Sequence, residues 1–518
     1  MSAVSGHALA HVILSRMESD FDRSRTLALL AQVEAADTAE TECAAAFTGL
    51  AGLEDYRTIA PLTAIVLDTG RPAWIRSEAS EVVAGYDDTT TPEIRRTWWG
   101  SGDPVLMRHA LRLMERGEAD IVIPVAADDD HPWQATALRS MSFGFGEAEF
   151  MPVPVRALNH PDREIRRVAA DMLLWEEPIA AAEGLLEAAR DRSPELAVTA
   201  LDTLRYYPTR RVLRAVAELC DSEDAEVRAA AIRGFEDLRE QFESMLHVAD
   251  PKEAGLLQDW ARPITDLLRP QSEPARTYTP SRPFSPPERP AGTVLSEQDL
   301  RAILENPDQD WYVMETTLRR IEWLAFDSAA RVRLTSRLLS HPDPLIREIC
   351  CAAFADWSDS TTLLTLTGDI SSTVRKSAIY SLIRLPPQPE IAARAWEYLA
   401  TATGTTGYEA LRTYVAHAPR GEAIDRLIDL ARTDRREIIR HYAISGLGDL
   451  RATRAIEELA PLLHEQPGVT WAVHTALLDE FTKLGIARTP PAYLATVDDL
   501  HLARAVAQHA GHADRSAK

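Results

Sequence analysis

A phrase that returns along the chain constrains it more than any other feature. It reads His-Pro-Asp-x-x-Ile-Arg at His160 to Arg166 and again at His341 to Arg347, and Asp-x-x-Val-Arg at Asp224 to Arg228. A recurrent phrase at roughly 30-residue spacing, with only helical patterning between copies, describes small units stacked in series. Aligning on the apolar residue before the Arg extends the series to Ile75, Met107, Leu196, Val374 and Ile439, with weaker members around Ala135 and Leu411. About ten to eleven units are expected on that spacing.

Each aligned segment places apolar residues at its start and then three, four, seven and eight positions on, the stripe that an amphipathic helix buries. Ile165, Val168, Ala169, Met172 and Leu173 are one example; Ile346, Ile349, Cys350, Ala353 and Phe354 are another. The fourth position on is small in most units, at Ala79, Ala169, Ala200, Ala231, Cys350, Ala378 and Ala443. Small residues there let neighbouring helices approach closely, so this column is expected to form the seam between units. A second apolar helix precedes each phrase, as in Val153 to Leu158 and Val212 to Leu219. Cap residues followed by proline open several helices, at Thr91-Pro92, Asp103-Pro104, Ser193-Pro194 and Asp343-Pro344. The expected fold class is all-α, an α-solenoid of stacked antiparallel helix pairs in two arrays.

The Asp-x-x-x-Arg helix start, the alanine-rich second helix and the repeat length resemble HEAT repeats, of the short bacterial type found in phycobilin lyases. The resemblance covers most of residues 50–240 and 328–485. It implies a structural ladder between adjacent units, here Asp162, Asp224 and Asp343 with Arg166, Arg228 and Arg347, joined by Arg76, Arg108, Arg375 and Arg440. Leu196-Ala197 departs from the pattern, which implies a break there. HEAT arrays serve scaffolds, regulators and a few enzymes, so the resemblance specifies fold more than function.

The expected division is an N-terminal array over 1–240, a bridging helix and Pro-rich strap over 241–295, a C-terminal array over 296–490, and a helix and tail over 491–518. The strap is marked by seven prolines between Pro270 and Gly292, a composition that favours extended chain. No apolar run is long enough to span a membrane, and Met1 to Arg16 lacks the basic-then-apolar order of a signal peptide, so a cytoplasmic protein is expected. Cys43, Cys220, Cys350 and Cys351 have no metal-ligand spacing and are expected as small core residues. No metal or other cofactor is expected; Asp128-Asp129-Asp130-His131 reads as a turn that caps the next helix. The tail histidines His501, His509 and His512 are expected on an exposed helix.

Charge narrows the function classes. The net charge is −23, and residues 1–150 hold 24 Asp or Glu against 12 Arg and no Lys, or 12 − 24 = −12. A phosphate-tracking surface needs clustered positive charge, so generic nucleic-acid binding is disfavoured. A protein or peptide partner with a basic segment fits better. Its anchors are expected among aromatics at the ends of second helices: Trp175, Tyr206 one repeat later, and Tyr207, with Trp98, Trp99 and Trp133 in earlier repeats. Aromatic faces beside carboxylates attract cations and provide contact area at low entropic cost. The leading expectation is a non-enzymatic scaffold or adaptor of unspecified oligomeric state. The alternative is an enzyme on the same fold, either chromophore lyase-like or of the alkylpurine DNA glycosylase type.

Overall fold

A computed structural model describes residues 23–516 apart from 36–39, 54–57, 85–89, 142–149, 151, 174–178, 249, 269–293, 306–316, 342, 401, 403, 465–466 and 493–496. Among the described residues there are 27 α-helices and no sheet, with an isolated antiparallel bridge between Thr209 and Asp499.

Most of these helices form pairs. In chain order, α1 (Arg23–Glu34) packs with α2 (Glu40–Leu53), α3 (Ile59–Leu67) with α4 (Ala73–Ala84), and α5 (Pro92–Trp99) with α6 (Pro104–Leu113). Next come α7 (Ala119–Ala127) with α8 (Gln134–Ser140), α9 (Pro152–Ala157) with α10 (Arg163–Met172), α11 (Ile179–Ala188) with α12 (Pro194–Leu204), and α13 (Arg210–Leu219) with α14 (Ala225–Leu246). The bridging helix α15 (Pro251–Ala261) and then α16 (Glu297–Glu305) interrupt the pairing. It resumes with α17 (Ser328–Leu339) and α18 (Pro344–Asp356), α19 (Ser360–Leu366) and α20 (Ser372–Leu382), and α21 (Pro389–Leu399) and α22 (Gly404–His417). The last pairs are α23 (Arg420–Thr433) with α24 (Glu437–Asp449) and α25 (Thr453–Glu458) with α26 (Pro467–Leu484), followed by α27 (Leu500–Ser516).

By contact the chain falls into two compact units, one of Met1–Leu113 with Pro286–Leu385, the other of Met114–Ser285 with Pro386–Lys518. This partition is discontinuous in sequence. In the first unit the second helices stack as α2, α4, α6 and as α18, α20. In the second they stack as α8, α10, α12, α14 and as α22, α24, α26, with α27 packed on α26, α14 and α15.

The apolar stripe explains the stacking. Ala79, Ala169, Ala200, Ala231, Cys350, Ala378 and Ala443 are each 0% exposed, so the small-residue column is the seam along which second helices meet. Burying a leucine-sized side chain contributes about 1.5–3 kcal/mol, and every repeat buries several. Burial also pushes the Cys351 thiol up to about 12 and the Cys350 thiol well above its ordinary value, which fits packing residues.

The recurrent phrase builds the turn before each second helix. The His ring comes first: His160 Nδ1 accepts the backbone N–H of Asp162 at 2.9 Å, and His341 Nδ1 that of Asp343 at 3.1 Å. His131 does the same for Trp133 at 3.1 Å, which makes His131-Pro132 a further copy of the phrase. The Asp then caps its helix: Asp162 accepts from Glu164, Asp224 from Glu226 and Val227, and Asp343 from Leu345. The Arg closes the turn: Arg166 donates to the carbonyls of His160 and Pro161 at 2.8 and 2.9 Å, and Arg228 to those of Ser222 and Glu223.

Among the described residues Arg166 and Arg228 form no ion pair with Asp162 or Asp224 of their own turns. Arg166 reaches forward instead, to Asp191 in the next turn at 3.8 Å. Arg76 reaches Asp103 at 2.9 Å and Arg347 grips both carboxylate oxygens of Asp369 at 2.9 and 2.8 Å. A capping carboxylate can serve both roles: Asp103 Oδ1 accepts from Val105 and Leu106 at 2.9 and 3.2 Å while its Oδ2 takes Arg76.

Candidate functional site

The expected aromatic anchors divide among different environments. Trp98 and Trp99, on α5 in the first unit, are half-buried, and Trp98 lies 5.3 Å from the ring of His109. Trp133, in the second unit, is half-buried with its ring edge-on to His131. Trp175 lies outside the described residues. Tyr206 is 49% exposed, but its face is covered by Arg205, whose guanidinium sits 4.9 Å above the ring and donates to the phenolic oxygen at 2.8 Å. Tyr207 departs from its expected role as an anchor: it is buried, and its hydroxyl donates to the Leu173 carbonyl at 2.8 Å, tying α12 to the preceding repeat. Both tyrosines follow the end of α12 at Leu204, where the chain turns back towards α13, so their directions are set by the turn and not by helix geometry.

The acidic residues of the second-helix faces are also less available than their number suggests. Arg139 pairs with Glu164, Arg163 with Glu195 at 3.0 Å, Arg233 with Asp202 at 3.8 Å, and Arg205 with Asp237 at 3.5 Å. Each rung joins one second helix to the next at close to the repeat spacing. In the first unit, Glu81 with Arg112 and Arg384 with Asp356 do the same.

A different arrangement occurs between α22 and α24 in the second unit. Tyr408 and Tyr442, 34 positions apart, bring their rings to 5.0 Å with a tilt of 51°. They border a cavity of about 110 Å³ whose other walls include Leu411, Val415, Ser445 and Asp449. Arg412 lies 5.3 Å over Tyr408 and is held at 3.5 Å by Glu409, four-fifths buried beside it. Asp449 is exposed at the mouth, with no ion pair within 4 Å among the described residues. It occupies the place that Asp356 holds in its own repeat, ten positions past the aligned Ile, but the basic group on the next helix is diverted. That group is Lys483, which donates to Glu480 at 2.6 Å.

Glycine makes the diversion possible. A Cβ at Gly448 would collide with the Glu480 carboxylate, and one at Gly446 would press on Leu411 at 3.1 Å and Leu427 at 3.3 Å. Glycine inside a helix costs about 1 kcal/mol against alanine, and here it admits a nearly buried carboxylate. Burial pushes the Glu480 carboxyl upward and the Lys483 hydrogen bond pulls the other way. Sequence reasoning passed over this site; its signals are the Tyr408 and Tyr442 spacing and the Gly446-Leu447-Gly448-Asp449 helix end.

Other candidates resolve structurally. Asp129 accepts from Gln134 at 3.1 Å and Arg156 at 3.2 Å, as a turn organiser. Among the described residues no group of three or more His, Cys, Asp or Glu is placed to hold a metal ion. His509 departs from the expected exposed position: it is 0% exposed, contacting the Arg488 carbonyl through Nε2 at 2.6 Å and Thr482 Oγ1 through Nδ1 at 3.3 Å. The stripe of α27 faces α26 and α15, which the sequence alone could not place. No described helix is long and apolar enough to cross a membrane.

The class this geometry defines is an α-solenoid of HEAT-like helix pairs. Sequence comparison adds no closer name: no family model matches and no characterised protein is significantly similar. Among solved structures the chain is similar to importin beta crystallised from ammonium sulfate, with TM-score 0.30 and 11% identity over 89% of this chain and 68% of that one. It is similar to the karyopherin Kap121p bound to the extreme C-terminus of the phosphatase Cdc14p, with TM-score 0.27, 12% identity, and coverage of 93% and 57%. Human deoxyhypusine hydroxylase in complex with glycerol gives TM-score 0.22, 17% identity, and coverage of 57% and 96%. At such scores the likeness transfers no activity or partner.

Proposed function

We propose that this chain is a non-enzymatic scaffold or adaptor that binds another protein through its second-helix face, seating a basic side chain of that partner between Tyr408, Tyr442 and Asp449. The observation that carries the reading is a cavity between the second helices α22 and α24 where two aromatic rings stand beside an exposed carboxylate with no ion pair within 4 Å among the described residues. Tyr442 offers a ring face to a cation, Asp449 offers its charge, and Leu411 with Val415 would pack on the aliphatic stem. Desolvated cation–π contacts contribute about 0.5–2 kcal/mol and attraction to an acidic chain speeds encounter. The net charge of −23 favours a basic protein segment over generic nucleic acid as the partner.

The test is fluorescence anisotropy with a labelled Arg-Gly repeat peptide and its citrulline counterpart, which keeps shape and loses charge. Tyr408→Ala with Tyr442→Ala, and separately Asp449→Asn, are expected to weaken the arginine peptide about tenfold, or roughly 1.4 kcal/mol. Equal binding of the citrulline peptide, or variants that bind as well as the parent, would remove the basis for this site.

A further inference from the structure

On the first-helix side of the second unit lies a feature with the opposite charge. The helices α11 and α13, the 3₁₀ turn Arg262–Leu267 and the segment before α27 border a cleft of about 360 Å³. Arg190, Arg210, Arg211 and Arg214 line it, against the carboxylates of Glu218 and Asp498. Four guanidinium groups meet the two lining carboxylates and Glu183 beside Arg211, which leaves a small local excess of positive charge in a chain of 56 basic and 79 acidic residues.

The chain's own atoms show that this place holds an anion. The Asp498 carboxylate accepts from Arg210 Nε at 2.8 Å and from the backbone N–H of Arg211 at 3.0 Å, and its carbonyl accepts the backbone N–H of Arg210 at 3.2 Å. The start of α13, with its aligned N–H groups, therefore faces negative charge at the rim. Arg210 is fixed: it donates to the Trp260 carbonyl at 2.8 Å and lies 4.8 Å over the indole.

The other three arginines are held loosely. Arg190 stands 3.6 Å from Glu218 with the two side chains 50% and 65% exposed. Arg211 meets Glu183 with both more than half exposed, and exposed Arg214 donates to the Pro263 carbonyl. Exposed pairs of this kind contribute little and exchange readily, whereas guanidinium groups binding phosphate oxygens in pairs make short, charge-assisted contacts. The volume sits at the small end of ligand pockets.

We propose that this cleft binds a small phosphate-bearing anion, with Arg190, Arg211 and Arg214 reaching its oxygens and Arg210 with Asp498 forming a fixed rim. A multiply charged group matches three movable guanidiniums better than a single carboxylate does, because each additional oxygen pair can engage another arginine. The site is separate from the Tyr408 and Tyr442 cavity and does not depend on the reading given to that cavity.

Calorimetric titration of the full chain with inorganic pyrophosphate at low salt tests the assignment. Saturable binding in the range of about 10–100 µM is expected, with orthophosphate weaker. Arg211→Ala with Arg214→Ala should weaken it at least about tenfold while the melting temperature holds, since both side chains are exposed. Glu218→Gln should tighten it about twofold by removing a competing carboxylate. Absence of saturable heat would overturn the proposal, as would an equal loss on Arg233→Ala, which lies on the second-helix face. Displacement of pyrophosphate by stoichiometric duplex DNA would assign the cleft to nucleic acid and would also overturn it.

Discussion

The junctions entered through Arg347 and through Arg228 are written with nearly the same phrase and are held together differently. Arg347 binds the His341 carbonyl at 2.7 Å and both oxygens of Asp369, with side chains only 9% and 10% exposed. Arg228 binds two carbonyls of its own turn and, among the described residues, no carboxylate. The difference follows from what comes next in the stack. After α18 there is a further repeat, whose turn supplies Asp369; after α14 the pairing stops and α15 takes its place. The same arginine is thus a clamp between repeats where a neighbour exists and a turn-closing residue where none does.

Substitution should separate these roles most sharply at Arg347. Arg347→Ala leaves Asp369 charged, desolvated and without its main partner, and should lower stability by about 3–5 kcal/mol, read from the urea midpoint. A loss no larger than that at Arg228 would remove the distinction between clamp and turn closure.

Acid should reveal a third kind of junction, between α4 and α6. There Arg76 grips Asp103, and beside it His109 is fully buried against Ser80 Oγ, 3.0 Å from Nδ1. Burial lowers the His109 pKa to about 4, against about 6.5 in the unfolded chain. The unfolded state therefore takes up the proton first as pH falls. Stability from this group is complete above about pH 6.5 and declines towards pH 4, by up to about 3 kcal/mol. His109→Asn, which can keep a hydrogen bond to Ser80, should flatten that slope in urea melts at pH 7 and pH 5. An unchanged slope would show that other groups govern the acid sensitivity.

The smallest effect belongs to Arg228. Arg228→Ala removes two hydrogen bonds from a charged donor to carbonyls that solvent can partly reach, and should lower stability by about 1–2 kcal/mol. Binding of the labelled peptide per folded molecule should be unchanged. Loss of peptide binding at full stability would make this arginine column a recognition surface.

Much of this architecture was legible in the residues because packing is local and periodic. The stripe at three, four, seven and eight positions, and the small residue at the fourth, depend only on helix geometry, and the seam follows from them. The partner of each arginine was not legible. Asp191 and Asp369 stand two residues before the N-cap positions Ser193 and Ser371 and read as ordinary turn acids, Asp103 reads as the cap of its own helix, and carbonyl acceptors carry no sequence signal. The functional face was harder still. Tyr206 and Tyr207 look equivalent in a string of letters, yet the turn after α12 sends one to Arg205 and the other into the core. Tyr408 and Tyr442 are recognisable as neighbours once the repeats are superposed with Thr405, and not Leu411, opposite Ile439.

The seat of α27 on its neighbours bears on how the second unit comes apart. The Trp260 indole donates to the Val497 carbonyl at 2.7 Å, Leu500 donates to the Pro208 carbonyl at 3.0 Å, and α27 lies on α26, α14 and α15 together. A row of repeats ordinarily melts from its ends inward, like a zipper, because a terminal unit has one neighbour to lose instead of two. Here the terminal positions of two rows are fastened to each other, so α14 and α26 each gain the neighbour that an end lacks. The boundary condition changes from open to joined, and amide exchange should be slowest near this seam instead of fastest.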